Sequence, residues 1–194
     1  MKGTFIVISG PSGSGKGTLI EHAREKYPSI VFARSLVSRA RRPGEEHSAT
    51  YLFTTAEDFK QKIEAGEFLE WAIYSGNYYG TLKSEVLPYI EEGKTVLKEI
   101  ETQGARQVIA AMPREQVKLV FIDSGSWQDM ETRIKARAPI SDDELAKRKR
   151  HYEEEMLFMP TADYVVKNEE GRFEETSRQF DQIIMSVLHS EHAA

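Results

Sequence analysis

Short apolar runs alternate with longer amphipathic stretches along most of the chain. Four of the runs are apolar almost throughout and rich in branched residues, at 4–8, 95–98, 117–122 and 163–166. A short run of this kind predicts a strand that is buried on both faces. Because helical patterns separate these strands, the sequence predicts an α/β fold in which a parallel sheet is flanked by helices.

The helical stretches carry start and stop signals. Thr55 precedes a periodic stretch with two acids in its first turn, and Gly66 follows it, so we expect a capped helix near 56–65. Ser141 and Glu144 form a capping box at the start of a long charged helix. The same reasoning predicts further helices near residues 16–27, 82–92, 126–137 and 173–189.

The stretch from about 34 to 88 has a different pattern. Its strand-like runs are short and aromatic, and a turn at Gly76-Asn77 separates the last two. We therefore expect a small mixed α/β subdomain inserted into the parallel core. The segment 126–150 is expected to form a helical lid, with its mobile part after residue 137.

The first strand runs directly into a glycine-rich segment, Gly10-Pro11-Ser12-Gly13-Ser14-Gly15-Lys16-Gly17-Thr18. Its spacing fits the phosphate-binding pattern G-x-x-x-x-G-K. Glycines let the backbone N–H groups point inward, and the helix that follows directs the positive end of its dipole to the same place. Lys16 adds a cation for the β- and γ-phosphates, so the segment predicts a nucleotide phosphate site and a P-loop NTPase core.

Composition and charge narrow the partners. The chain of 194 residues has a formal net charge of −5 at pH 7, which argues against nucleic acid or an acidic membrane as the main partner. Cysteine is absent, which fits a reducing cytoplasm. We see no leader peptide and no apolar run near the ~20 residues that a membrane-spanning helix needs. The expectation is a cytoplasmic protein, a monomer or homodimer, without nucleic acid or membrane partners.

A second anion site is indicated by three arginines close to Pro43-Gly44. Arg39, Arg41 and Arg42 lie within four positions. A guanidinium donates paired hydrogen bonds to phosphate oxygens. Alone, the cluster fits a solvated basic loop, but downstream of a phosphate loop in a net-acidic chain it favours an anion site.

Two carboxylate-bearing stretches are candidates for ligand contacts. Glu70, in an aromatic stretch that also suits a core, could accept the N1–H and N2–H donors of a guanine edge. Glu99 and Glu101 follow the 95–98 run, at the strand end where α/β sheets bind ligands. An acid there can orient Mg²⁺ or its waters, or it can be an ordinary surface acid.

The lid stretch contains Arg133, Arg137 and Arg148, of which we assign a function only to the last two. They could neutralise charge on a transferring phosphoryl group. The alternative is a solvated charged helix, which fits residues 153–155. No general base is needed for transfer onto a phosphate, because that acceptor is already an anion.

Along nearly its whole length the chain resembles guanylate kinases. The glycine-rich segment is similar to G-P-S-G-x-G-K-S-T-L, and the arginine turn to S-H-T-T-R-x-x-R-P-G-E. The most specific matches are F-L-E-W from Phe68 and G-N-Y-Y-G-T from Gly76. The stretch from Glu99 resembles D-I-D-x-Q-G-A, Asn168 lies in a match to V-x-N-D, and the two lid arginines keep the family spacing.

The resemblance implies the reaction ATP + GMP = ADP + GDP in purine nucleotide metabolism, with Mg²⁺ as the cofactor of ATP and a closure that excludes water. It implies a core of residues 1–33, 89–125 and 151–194, a GMP-binding subdomain of 34–88 and a lid of 126–150.

The resemblance also implies site residues. Those for ATP are Gly10, Ser12, Gly13, Ser14, Gly15, Lys16, Gly17, Thr18 and, near adenine, Asn168. Those for the GMP phosphate are Arg39, Arg42, Tyr51 and Tyr79, and those for guanine are Ser35, Glu70, Thr81 and Glu101. Lys16, Arg137 and Arg148 would be catalytic, and Glu99 would contact the metal, directly or through water.

Several positions depart from the family pattern. Gly17 stands where Ser or Thr usually supplies a hydroxyl to Mg²⁺, and Thr18 carries the first hydroxyl. Glu99 and Glu101 are each one methylene longer than the expected Asp, and a misplacement of about 1 Å can cost about 10²-fold in rate. Residues 36–38 and 47–50 also differ. Mg²⁺ would then be held more through water and phosphate than by protein.

Two alternatives stay open. One is a related nucleoside monophosphate kinase with an altered acceptor preference. The other is a catalytically weak binding module, which the presence of Lys16, Arg137 and Arg148 disfavours.

Overall fold

A computed structural model of the protein describes residues 2–137 and 139–192, except for the side chains of Arg137 and of residues 190–192. This part of the chain forms nine strands and seven α-helices, with three short 3₁₀ helices between them. The strands are β1 Phe5–Ser9, β2 Val31–Phe32, β3 Ser35–Val37, β4 Tyr51–Phe53, β5 Phe68–Tyr74, β6 Asn77–Leu82, β7 Val96–Glu99, β8 Val117–Asp123 and β9 Tyr164–Lys167. The α-helices are α1 Lys16–Lys26, α2 Ala56–Glu64, α3 Leu87–Glu91, α4 Thr102–Ala111, α5 Trp127–Arg137, α6 Asp142–Met156 and α7 Phe173–His192.

The larger sheet has five strands in the order β2-β7-β1-β8-β9. β2 pairs in parallel with β7, and β8 pairs in parallel with β9. All five residues of β1 are buried, as expected for a strand with apolar side chains on both faces. The predicted α/β fold, a parallel sheet flanked by helices, is confirmed.

The smaller sheet has four strands in the order β4-β3-β6-β5. β3 and β4 are parallel, whereas β6 is antiparallel to both β3 and β5, so the sheet is mixed. It has an aromatic core of its own in which the rings of Phe59 and Phe68 stack with centroids 4.4 Å apart. α2, which carries Phe59, packs on this sheet.

The chain divides by its contacts into two compact units. The first contains the residues up to Ile6, Pro28–Lys98 and Gln103–Val117, and so holds the whole smaller sheet. The second contains Val7–Tyr27, Glu99–Thr102 and the described residues from Lys118 onward, and so holds the glycine-rich segment. The boundaries of these two units differ from those of the predicted core, GMP-binding subdomain and lid. The predicted subdivision therefore stays a prediction.

Local expectations were met at the helix caps. The Thr55 hydroxyl accepts from Asp58 N at 3.0 Å, and the Ser141 hydroxyl accepts from Glu144 N at 3.3 Å. Across the described ranges, none of the helices combines the length and the apolar character needed to span a membrane.

Other local expectations were wrong. The helix near 82–92 is a 3₁₀ turn at Lys83–Glu85 followed by α3, which has a proline in its first turn. The hairpin turn is Ser75-Gly76, because both residues have positive φ (48° and 77°) and Asn77 already pairs with Tyr74. β3 and α4 were not predicted.

Candidate active site

Glycine is required at two positions of the glycine-rich segment. Gly15, with φ 90°, ends the segment at the start of α1, and a Cβ there would lie 2.1 Å from Asn168 Nδ2. A Cβ at Gly10, with φ 140°, would lie 2.5 Å from the carbonyl oxygen of Ile122. The segment is therefore a tight loop between β1 and α1, the geometry in which backbone N–H groups surround a phosphate.

Lys16 lies folded over this loop. It is buried, and its Nζ donates to the carbonyl oxygens of Gly10 at 2.7 Å and Pro11 at 2.9 Å. The carboxylate of Glu99, at the end of β7, is 3.6 Å from the same ammonium. The structure thus brings together the cation and the carboxylate that the sequence placed at the ATP phosphates and the metal.

Asn168 fixes the loop from the other side. Its Nδ2 donates to the carbonyl oxygen of Ser14 at 2.7 Å, and its own backbone N–H donates to Asp123 at 2.8 Å. Arg133 Nη2 donates to the carbonyl oxygen of Asn168 at 3.3 Å. These contacts give Asn168 a positioning role that the sequence did not indicate, while its predicted place near adenine stays a prediction.

The side of the loop that faces solvent is open. A Cβ on Gly17 would meet nothing within 4 Å, and Ser12, Gly13 and Thr18 are exposed. Ser14 Oγ, by contrast, is buried and has no hydrogen-bond partner among the described residues. A buried hydroxyl without a partner is costly, so a ligand oxygen at this position would satisfy it.

Glu155 is a site residue that the sequence analysis missed. It lies in the last turn of α6 and accepts a hydrogen bond from the backbone N–H of Ser12. Burial raises its pKa to about 7, an effect that Lys16 opposes and Glu101 reinforces. The interpretation of residues 153–155 as a solvated face is therefore wrong for this carboxylate.

A sequence signal for Glu155 does exist. Tyr152 lies three residues before it, so the two side chains share a helix face. The Tyr152 hydroxyl donates to the carbonyl oxygen of Gly125 at 2.6 Å, which shows that this face of α6 is turned toward protein.

Residues of the predicted lid border a cavity of about 410 Å³. Ser12, Gly13, Met130, Arg133, Pro139 and Arg148 are among the residues that line it. Arg148 is half-exposed, and its Nε lies 3.4 Å from Glu144 of the preceding turn. The side chain of Arg137 lies outside the described residues, so its predicted role stays a prediction.

The arginine turn in the first unit holds one cation whose side chain is largely shielded from solvent. Arg39 is 9% exposed and forms a two-pronged ion pair with Glu45, at 2.6 and 2.7 Å. Its guanidinium also lies over the ring of Tyr51, with 5.0 Å to the centroid, and hydrogen-bonds Tyr79. Arg39, Tyr51 and Tyr79, three of the four residues predicted for the GMP phosphate, are thus in contact.

Glu45 orders this turn. The hydrogen bonds from Arg39 and from the backbone N–H of Arg42 hold its pKa down at about 2. The Arg42 side chain itself is exposed. Arg39 Nε is buried and has no hydrogen-bond partner in the described ranges, so an anion that reached it would satisfy this donor.

Three of the residues predicted to read guanine form a row across the smaller sheet. Thr81 pairs with Glu70, and the β3–β6 register, continued by one residue, sets Ser35 opposite Thr81. Paired residues on neighbouring strands share a face of the sheet. Glu70 and Thr81 are buried, and the Thr81 hydroxyl donates to the Glu70 carboxylate at 2.5 Å.

Glu101, the fourth residue predicted for guanine, is exposed and belongs to the second unit. Within that unit its charge contributes to the raised pKa of Glu155. Its assignment to guanine stays a prediction.

Comparison with known proteins shows the family. The model of the guanylate kinase family matches residues 2–187. The chain belongs to the guanylate kinase family. It is 40% identical over 168 residues to the guanylate kinase of Thermosynechococcus vestitus, covering 87% of each chain. It is 37% identical over 187 residues to that of Rubrobacter xylanophilus, covering 96% of each.

A solved structure also matches. The crystal structure of guanylate kinase from Anaplasma phagocytophilum aligns with a TM-score of 0.72 and 26% identity over 95% of this chain and 86% of that one. The chain is therefore a nucleotide-binding kinase of the P-loop type, and its reaction is the ATP-dependent phosphorylation of GMP.

Proposed function

We propose that the two units of this guanylate kinase divide the substrates between them, with GMP bound by the first and ATP by the second. The observation that carries the assignment of GMP is the buried Glu70–Thr81 pair in register with Ser35. A carboxylate in this position can accept both the N1–H and N2–H of guanine, which adenine does not offer.

The phosphate of GMP is proposed to bind Arg39, Arg42, Tyr51 and Tyr79. Arg39 supports this best, since its side chain is largely shielded from solvent, is oriented by Glu45 and two rings, and retains an unsatisfied Nε. An oriented guanidinium loses less entropy on binding an anion than a free one.

The phosphates of ATP are proposed to bind the loop from Gly10 to Thr18. Lys16 would leave its carbonyl partners for the transferring phosphoryl group, where its charge stabilises the transition state. Arg137 and Arg148 are proposed to add positive charge from the lid.

Mg²⁺ is the cofactor that we propose to accompany ATP. The oxygen donors near the loop include the exposed Thr18 hydroxyl and the Glu99 carboxylate, and oxygen is the ligand that Mg²⁺ prefers. When bound, the ion would neutralise charge on the phosphates. Among the described residues, no group of three acidic, histidine or cysteine side chains could hold a metal.

The proposed subdivision is a core of 1–33, 89–125 and 151–194, a GMP-binding subdomain of 34–88 and a lid of 126–150. The proposed location is the cytoplasm, where the enzyme acts on nucleotides as a monomer or homodimer.

A crossed binding experiment tests the division of substrates. Lys16→Ala should lower kcat by about 10³-fold or more, because it removes charge from the transition state, while the Kd of GMP changes less than threefold. Arg39→Ala should instead raise the Kd of GMP by at least about tenfold and leave the Kd of ATP unchanged. Calorimetric titration with ATP alone and with GMP alone gives the two Kd values of each variant, and steady-state assay gives kcat. An equal loss of GMP and ATP binding in either variant would contradict the division.

A further inference from the structure

Lys98 is a buried charge that the reaction as described so far does not use. It lies on β7 with 5% of its surface exposed. Among the described residues, Lys16 is the other buried lysine. Taking an ammonium out of water is costly unless it is hydrogen-bonded or paired, so its partners indicate its role.

The partners of Lys98 lead to the base-reading row. Its Nζ donates to Ser35 Oγ at 2.7 Å and lies 3.3 Å from the carbonyl oxygen of Ala33. The carboxylate of Glu85 forms a two-pronged ion pair with Arg34, and the charge of Lys98 also helps to lower its pKa. Lys98 is thus held between a structural ion pair and the first residue of β3.

The row therefore has opposite polarity at its two ends. An ammonium and a hydroxyl stand at one end, at Lys98 and Ser35, and a carboxylate stands at the other, at Glu70. Because Lys98 donates to the Ser35 oxygen, the Ser35 hydroxyl proton is directed to another acceptor. Guanine has the matching polarity: O6 and N7 accept hydrogen bonds, and N1–H and N2–H donate them.

We propose that Lys98 is a specificity-determining residue for the acceptor base, which together with Ser35 presents donors to the O6 and N7 edge of a 6-oxopurine. Adenine carries a donating amino group at position 6, which would face the ammonium with the wrong polarity. This inference rests on the proposed assignment of Ser35, Glu70 and Thr81 to the base.

The test is a set of base analogues measured with Lys98→Met. Methionine has a similar length, and Val96 and Leu97 show that apolar side chains suit this strand. Lys94→Met is the matched control, because the Lys94 side chain is half-exposed and its ammonium pairs with Glu92 and lies over the ring of Tyr89. The value of kcat/KM is measured with GMP, 6-thio-GMP and 7-deaza-GMP, which alter O6 or N7, and with IMP, which lacks only the 2-amino group.

In Lys98→Met we expect kcat/KM for GMP to fall about 10- to 100-fold, as for loss of a charged hydrogen bond. The preference for GMP over 6-thio-GMP or over 7-deaza-GMP should narrow by a similar factor. The preference for GMP over IMP, which depends on Glu70, should stay within twofold of the wild type. Lys94→Met should leave all the ratios unchanged.

An equal loss of kcat/KM for all four acceptors leaves their ratios unchanged, would show a purely structural role for Lys98 and would overturn the proposal. No change in any of the four kcat/KM values would overturn it as well. If Lys98→Met does not fold, Ser35→Ala should narrow the same two preferences, and its failure to do so would overturn the proposal equally. Failure of the Lys98 proposal can be told apart from failure of the proposed guanine site. If the guanine site itself is wrong, Glu70→Gln will leave the preference for GMP over IMP unchanged; if only the Lys98 proposal is wrong, Glu70→Gln will still reduce that preference.

Discussion

Glu45 and Glu155 each lie beside a proposed phosphate site, yet their pKa values move in opposite directions. In the first unit, Arg39 holds the pKa of Glu45 at about 2. In the second unit, burial beside the phosphate loop raises the pKa of Glu155 to about 7, although Lys16 is near. The difference reflects how each site is built.

The proposed acceptor site is built from side chains that are already paired. Arg39 with Glu45 and Thr81 with Glu70 are fixed by strands and by a tight turn. The proposed donor site is built from a loop of backbone N–H groups, and its buried cation, Lys16, donates to carbonyl oxygens of the same loop. Side chains can distinguish one base from another, whereas a loop of backbone donors binds any polyphosphate. Base selection should therefore depend on the first unit.

The largest expected effect breaks this selection. Glu70→Gln replaces a carboxylate that accepts two N–H donors by an amide that accepts one, so discrimination between GMP and AMP should fall about 100-fold while the Kd of ATP is unchanged. Steady-state kcat/KM for both acceptors measures it. Glu67→Gln, an exposed acid in the same unit that pairs with Lys62, is the control. Undiminished discrimination against AMP in Glu70→Gln would remove Glu70 from base reading.

A medium effect sharpens the contrast between the two carboxylates. Because the pKa of Glu155 is raised in the folded state, the folded protein keeps a proton that the unfolded chain loses between pH 4.5 and about 7. Its contribution to stability is therefore present below this window and is lost as pH rises through it. The charged groups acting on it are Lys16, Glu101 and Glu154.

Glu155→Gln should remove this loss. The Tm of Glu155→Gln minus the Tm of the wild type should be several degrees larger at pH 8 than at pH 5. Thermal unfolding at both pH values measures the two differences, and Glu153→Gln, which replaces an exposed acid of α6 that pairs with Lys149, should show no change in this difference with pH. A difference in Tm that does not change with pH would contradict the burial of a titrating Glu155.

The smallest expected effect concerns metal binding at the loop. Because a Cβ on Gly17 meets nothing within 4 Å, Gly17→Ser can add the hydroxyl without displacing a neighbour. The Mg²⁺ concentration for half-maximal ATP binding should fall a few-fold. Gly17→Ala supplies a Cβ and a gain in helix propensity of up to about 1 kcal/mol without the hydroxyl, and should leave the Mg²⁺ titration unchanged. Equal titrations for Ser and Ala would exclude a metal contact at this position.

The sequence was sufficient for the elements whose signals are local. The glycine-rich loop, the caps at Thr55 and Ser141 and the apolar strands all follow from residue spacing. The sequence was not sufficient for the helix near 82–92, because Pro88 and the backbone of Val86 divide this segment into two short helices. It was also not sufficient for β3, because its three residues form a strand through pairing with β4 and β6 rather than through a pattern of their own.

For the site, the family motifs predict the ligand contacts, but the sequence did not show which residues support the predicted contact residues. Asn168 contacts the loop across 154 positions of sequence, and Lys98 reaches Ser35 across 63. Contacts of this length depend on the topology of the sheets. Glu155 was missed because the charges around it suggested a solvated face, whereas its helix face is turned toward protein.

The most direct test of the account is a scan of acceptor nucleotides with the wild-type protein, ATP and Mg²⁺. Coupled measurement of ADP formation should give the highest kcat/KM for GMP, lower values for dGMP and IMP, and values lower by about 10² or more for AMP and UMP. A preference for AMP or UMP would contradict the assignment of base reading to Glu70 and its row. Binding of both ATP and GMP without any ADP formation would contradict the assignment of the chain as an active kinase.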